Sequence, residues 1–286
     1  MSRRLVLHPL ILILFAVSRQ VFADAMDVAL LDGGTLIQGR DTLTWEGTEG
    51  VFSASDIGCD RFYQPTTSPN GRTVAVWAGS DSLDCIVIVR RNGVKVLGPY
   101  SDAGAPVWDG AGVLWFTAEG SLLRNCTPVG APLDAYSISV SRQGDRVVYT
   151  DRDDRIMVMS VATGSVEVVS DDYRFYGPFF TPCGDIVSPS MDGGIWLFSG
   201  DAAQYVDQGE QPVWWPSQEC ILFIRTADDG MQLLSSDLWT WTPEGGSRRL
   251  TETPGLLETN PTPSDEGVFF VDAAVGSVGF AEAPAP

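Results

Sequence analysis

One stretch constrains this chain more than any other: Gln64-Pro65-Thr66-Thr67-Ser68-Pro69-Asn70-Gly71, followed closely by the apolar run Val74-Ala75-Val76-Trp77. Proline at the second position of a turn presets φ, and Asn-Gly supplies the positive φ of a tight hairpin. Ile86-Val87-Ile88-Val89 then reads as a third strand, and Asn92-Gly93 turns it into a fourth, Val94-Lys95-Val96-Leu97. The unit returns in degenerate form. Pro106-Val107-Trp108-Asp109-Gly110 leads into residues 113–116, and Ser141-Arg142-Gln143-Gly144-Asp145 into 147–149. Pro178-Phe179-Phe180-Thr181-Pro182-Cys183-Gly184 leads into 185–187, Pro212-Val213-Trp214-Trp215-Pro216 into 220–223, and Pro261-Thr262-Pro263-Ser264 into 268–271. Six turns recur roughly 32 to 47 residues apart.

A single four-stranded meander leaves two apolar faces uncovered. Ringing such meanders packs each face on a neighbour, so a period of about 40 residues predicts a β-propeller. The expectation is an all-β, six-bladed β-propeller of four-stranded antiparallel blades. Seven blades follow if residues 41–58, which do not fit the template, are the remains of another. The segment Val28-Ala29-Leu30-Leu31-Asp32-Gly33-Gly34-Thr35-Leu36-Ile37 resembles the second half of a blade. It is expected to complete the last blade and so remove exposed strand edges. The domain is read as residues 24–280, with a loose tail at 281–286.

Residues 1–23 read as a signal peptide. Arg3 and Arg4 precede an apolar stretch over 5–17, and Val21-Phe22-Ala23 offers small enough residues for cleavage after Ala23. The stretch is shorter than the roughly 20 residues a membrane span needs. A periplasmic or secreted, monomeric protein without membrane insertion is expected. Net charge is −19, and −22 once Arg3, Arg4 and Arg19 are removed. Such a surface repels nucleic acid phosphates.

The only histidine, His8, lies in that leader, so the mature chain has none. Ser-His-Asp triads, Cys-His pairs and His-ligated metals are thereby excluded. Five cysteines remain, at 59, 85, 126, 183 and 220, and none forms a CxxC pair. Cys59 precedes the first strand of its blade, and Cys85 follows the loop between second and third strands. Those loops share a face, so Cys59–Cys85 is the expected disulfide in an oxidising compartment.

Ser68-Pro69-Asn70-Gly71, Pro106-Val107-Trp108, Thr163-Gly164, Asp237-Leu238-Trp239 and Arg248-Arg249-Leu250-Thr251 resemble the repeats of the TolB-type propeller family over residues 60–272. The resemblance implies a blade type shared by periplasmic scaffolds, by propellers of prolyl oligopeptidase-like enzymes and by some polysaccharide lyases. The chain has no room for the separate domain that precedes the TolB propeller. The catalytic His of the peptidases and the metal-site histidines of the lyases are also missing.

In a propeller, the loops entering the inner strands gather at one face, around the channel. Arg61-Phe62-Tyr63-Gln64-Pro65 and Arg174-Phe175-Tyr176-Gly177-Pro178 occupy equivalent places three repeats apart. In a six-blade ring they would face each other across the funnel, with Phe62 and Phe175 packing between blades. Equivalent positions give Asp134, Tyr136 and Glu210, and Asp60 and Asp172 add acid nearby. Arg61, Tyr63, Asp134, Tyr136, Arg174, Tyr176 and Glu210 are the candidate binding residues, since Arg and Tyr are common anchors. No cofactor is expected; calcium is considered only at Asp151-Arg152-Asp153-Asp154-Arg155, where the arginines compete with it. With no nucleophile motif, catalysis is left open. The leading expectation is a non-catalytic scaffold binding a protein or peptide at the funnel face. The alternative is a carbohydrate-binding or carbohydrate-active propeller using Trp, Tyr and carboxylates.

Overall fold

The structure is a computed structural model that describes residues 25–32, 34–45, 51–133, 135, 137–170, 175–229 and 231–284. The leader lies outside the described residues. The strands form seven antiparallel sheets, each from one consecutive stretch: 27–53, 61–100, 107–132, 138–170, 179–208, 210–249 and 258–282, here blades 1 to 7. Blades 1 to 6 have four strands in meander order, and blade 7 has three among the described residues. The first strands of neighbouring blades approach one another, so they form the inner wall of the ring.

In blades 2, 3, 4 and 7 the repeated turn has a common chemical cause. The amide of Ser68 donates to the carbonyl of Thr73, and that of Gly71 to Ser68. The Ser68 hydroxyl accepts the Thr73 amide at 3.1 Å. Ser141 repeats this with the amides of Asp145 and Arg146 at 3.2 and 3.0 Å, and Ser264 with Gly267 at 3.1 Å. In blade 3 the buried Asp109 carboxylate takes the Ala111 and Val113 amides and the Trp115 indole N–H. A short polar side chain at this position thus satisfies the donors of a turn between two buried strands.

Six buried apolar clusters fill the seams between successive blades from blade 1 to blade 7. The seam between blades 7 and 1 has no such cluster among the described residues. It is held by polar stitches: Thr262 Oγ1 donates to the Val28 carbonyl at 2.8 Å, Asn260 Nδ2 donates to the Met26 carbonyl, and the Ala25 amide donates to Gly276 at 3.1 Å.

The ring therefore has seven blades, and it closes differently from the expectation. Asp27–Leu31 and Gly34–Gln38 pair with each other, not with blade 7. Thr42–Trp45 and Val51–Ser53, inside the stretch that did not fit the template, complete their sheet. A 3-10 turn, Ala54–Ile57, then leads to blade 2. The reason is burial. Leu36 and Leu43 are fully buried against Phe62, Val76 and Val87 of blade 2, so this hairpin has its own apolar partner. The tail also differs: Ala281 and Glu282 belong to the strand Ser277–Glu282, and the Ala283 amide donates to Glu266.

Candidate functional site

The loops that enter the inner strands share a face with the loops between second and third strands. On that face, between blades 7 and 1, lies a cleft of about 830 Å³ lined by Met26, Arg40, Asp41, Thr44, Asp60 and Val275, among others. This is within the usual size range of small-ligand sites. Arg40, Asp41 and Asp60 are exposed, while the backbone behind them is fixed. The Phe62 amide donates to the Arg40 carbonyl at 2.8 Å, the Ala54 amide to Asp41 at 2.9 Å and the Asp60 amide to Gly79 at 3.0 Å.

The next residues along the rim form an aromatic platform. Along Arg61–Thr67, side chains alternate between the two seams of blade 2. Phe62 faces blade 1 and is buried, which puts Arg61 and Tyr63 on the side of blade 3. The Tyr63 and Trp77 rings stack at 4.6 Å between centroids, inclined by 30°. The Arg61 guanidinium lies 5.7 Å from the centre of the Tyr63 ring. Such a cation–π contact holds a planar charge over an aromatic face. The Trp77 indole N–H donates to Asp84 Oδ1 at 3.1 Å, and Asp84 Oδ2 accepts the Ala103 amide at 2.8 Å. A Cβ at residue 79 would sit 2.7 Å from Asp84 Oδ1, so glycine is required for this close approach.

On blades 5 and 6 the structure brings Tyr176 and Glu210 together. Burial, and then the Glu210 charge, raise the Tyr176 hydroxyl above its ordinary pKa. Phe175 is buried between blades 4 and 5, equivalent to Phe62. Arg174, Asp134, Tyr136 and Asp172 lie outside the described residues. The expected opposition across a six-blade funnel is corrected: blades 2 and 5 are three steps apart in a ring of seven, so Tyr63 and Tyr176 do not sit on a diameter.

The aspartate run over 151–155 closes on itself. Arg155 donates to Asp151 Oδ2 at 2.6 and 2.8 Å, and the Asp153 and Arg155 amides donate to Oδ1. Burial raises the Asp151 pKa, and the Arg155 hydrogen bonds outweigh it to leave the carboxyl below its ordinary range. Among the described residues, no group of three or more His, Cys, Asp or Glu is arranged to hold a metal ion. All five cysteines are free thiols in this structure, and Cys59 and Cys85 are buried in one apolar cluster.

Two features of this face escaped the sequence reading. Gln64, Gln211 and Asn260 adopt left-handed backbone, with φ of 46°, 51° and 51°, each just before a proline in an inner strand. Each marks a bulge in its strand pair. Gln211 Oε1 accepts the Asn260 amide at 2.6 Å, so blade 6 stitches to blade 7 as blade 7 stitches to blade 1. The recurring X-Pro in the inner strand was the available signal. The second feature is Arg225, whose guanidinium lies 4.0 Å from the Trp239 ring centre and pairs with Asp207 of the preceding blade.

No family model matches the chain, and no curated protein matches its sequence. Solved structures do. The β-propeller domain of Cps50 (Swd1) from Myceliophteria thermophila aligns with a TM-score of 0.59 at 12% identity, covering 92% of this chain and 97% of that one. An oligogalacturonate lyase from Vibrio parahaemolyticus aligns with a TM-score of 0.56 at 9% identity, covering 90% and 85%. An oligogalacturonate lyase in complex with manganese aligns with a TM-score of 0.55 at 12% identity, covering 88% and 82%. At these identities the likeness is one of fold: the chain is a β-propeller.

Proposed function

We propose that this chain is a carbohydrate-binding or carbohydrate-active propeller. Its saccharide would lie in the cleft between blades 7 and 1 and extend over Asp60 and Arg61 to the Tyr63–Trp77 platform. The observation that carries this reading is a ligand-sized cleft edged by Arg40, Asp41 and Asp60, with a stacked aromatic pair that begins three residues further along the same rim, at Tyr63. Aromatic faces suit the apolar faces of sugar rings, and exposed carboxylates and guanidinium groups suit hydroxyls. The expectation of a non-catalytic scaffold for a protein or peptide is corrected here, because two of the solved neighbours are carbohydrate lyases.

The charge of the chain points to a neutral or amino saccharide. A net charge of −19 repels a polyuronate unless a cation intervenes. The manganese of one neighbour does not fit the residues here, since the described chain has no cluster of donors for it and the mature sequence has no histidine. The leader pattern supports export to the periplasm or beyond, and the blade-repeat resemblance supports a TolB-type origin. No helix among the described residues is long and apolar enough to cross a membrane.

A glycan array with the exported protein tests the proposal. Neutral or amino glycans are expected to be retained. Tyr63→Ala should weaken that binding about tenfold, the equivalent of one lost aromatic contact, with the fold intact by circular dichroism. Retention of no glycan class, or undiminished binding by Tyr63→Ala, would overturn it.

A further inference from the structure

We propose that Cys59 and Cys85 are a disulfide-forming pair, which ties the loop leaving blade 1 to the third strand of blade 2. Both side chains are 3% exposed and lie in one apolar cluster with Ala54, Phe62, Ala78 and Val87. Each thiol is close enough to act on the other's proton affinity. Both backbones are tethered to the same strand, Val74–Gly79. The amide following Cys59, that of Asp60, donates to Gly79, and Cys85 is the direct cross-strand partner of Ala78. The Cys59 amide is fixed separately to Ala54 at 3.0 Å. Two thiols placed in one cluster by backbone anchors on the same strand need little rearrangement to bond.

The other cysteines differ. Cys126 and Cys183 are exposed, and Cys220 is buried in the cluster between blades 6 and 7. None of the three belongs to the cluster that holds Cys59 and Cys85.

The chemistry is thiol–disulfide exchange with a small-molecule disulfide such as oxidised glutathione. One thiol loses its proton and attacks a sulfur of the oxidant, releasing one reduced thiol and leaving a mixed disulfide. The second cysteine then attacks the protein sulfur of that mixed disulfide and expels the other reduced thiol. The two cysteines are oxidised, and the oxidant is reduced to two thiols. Burial, the neighbouring thiol and Asp84 hold Cys59 up at about 12, so little thiolate is available at neutral pH. Exchange is accordingly slow, and faster above pH 8, since the thiolate is the attacking species.

The bond would brace the segment between Ala54 and Arg61, which carries Asp60 and enters the aromatic platform. The proposal itself does not depend on the saccharide reading.

The test uses the chain with Cys126→Ser and Cys183→Ser, two exposed positions whose replacement leaves the core intact. This protein is equilibrated with oxidised glutathione at pH 8.5, unfolded in denaturant, and its thiols are counted. One titratable thiol, Cys220, is expected after oxidation and three after reduction. Peptide mapping without reductant should show residues 59 and 85 linked. The oxidised form should melt about 5 °C higher than the reduced form. Adding Cys85→Ala should abolish that difference between oxidised and reduced samples. Three free thiols after exhaustive oxidation, or a linked peptide that contains Cys220, would overturn the proposal.

Discussion

Replacing Trp215 with alanine is expected to lower the unfolding free energy by about 4 kcal/mol, in the range of buried Trp truncations. Trp215 is fully buried between blades 6 and 7, against Leu222, Leu238, Val268 and Phe270. Its indole N–H donates to the Ser264 carbonyl at 2.8 Å, inside the capped turn of blade 7. Alanine removes the ring, leaves a cavity and strips that carbonyl of its main donor. Trp215→Phe keeps most of the packing and loses the hydrogen bond, so it should cost about 1 kcal/mol. For a domain of this size the alanine variant should melt about 10 °C lower.

The effect should also be local. Blade 7 has one apolar seam, towards blade 6, and a polar seam towards blade 1. Weakening the apolar seam therefore loosens the ring at the edge of the cleft. Hydrogen exchange in Trp215→Ala should rise first in Glu258–Pro263 and Gly267–Asp272. A loss below about 1 kcal/mol, or exchange that rises evenly round the ring, would contradict this account.

The second large effect concerns pH. Asp27 begins the inner strand of blade 1, half-buried and with no cation against it among the described residues; its Oδ1 accepts the Val28 amide at 2.8 Å. Burial pushes its carboxyl up to about 7, and the Val28 amide offsets this only in part. Between the ordinary carboxylate value and pH 7 the folded chain holds a proton that the unfolded chain has lost. Stability from this group is therefore greatest in acid, falls as pH rises through that window, and levels off above about 7. Allowing for the half-buried position, the loss should be about 2 kcal/mol. Asp27→Asn should remove it, so the variant gains stability over wild type at pH 8 and matches it near pH 4. Gln38, directly across the strand pair, has a buried Oε1 with no donor among the described residues, which gives a protonated Asp27 or an asparagine an acceptor to face. Denaturant titrations at pH 4, 6 and 8 measure the slope; parallel curves for the two proteins would refute the assignment.

The repeated features of the sequence reflect hydrogen bonds that can be traced in the structure. Asp237-Leu238-Trp239 and Arg248-Arg249-Leu250-Thr251 meet where blade 6 joins blade 7. Asp237 takes Arg249 at 2.7 Å and the Thr253 amide at 3.1 Å, as Asp84 takes the Ala103 amide in blade 2. The fully buried Glu258 accepts the Leu238 amide and the hydroxyls of Thr251 and Thr253. Each is a polar residue at a fixed offset from an apolar strand, which is why a linear pattern could report it.

The sequence by itself determined the blade: in blades 2, 3, 4 and 7 a turn capped by Ser or Asp with Gly behind it, and throughout strands apolar enough to be covered on both sides. It also led to the expectation of Arg61 and Tyr63 at the entry to blade 2, and both lie at the start of its first strand, Arg61–Thr67. Only the tertiary structure decided the number of blades, the closure and the cleft. Blade 1 has no Ser-Pro-Asn-Gly turn, so only its segment 28–37 looked blade-like, and the packing of Leu36 and Leu43 on blade 2 is what makes it a blade of its own. The stack of Tyr63 on Trp77 joins residues from different strands. Their approach is set by strand register and by the packing of one blade on the next, and neither is written in the spacing along the chain.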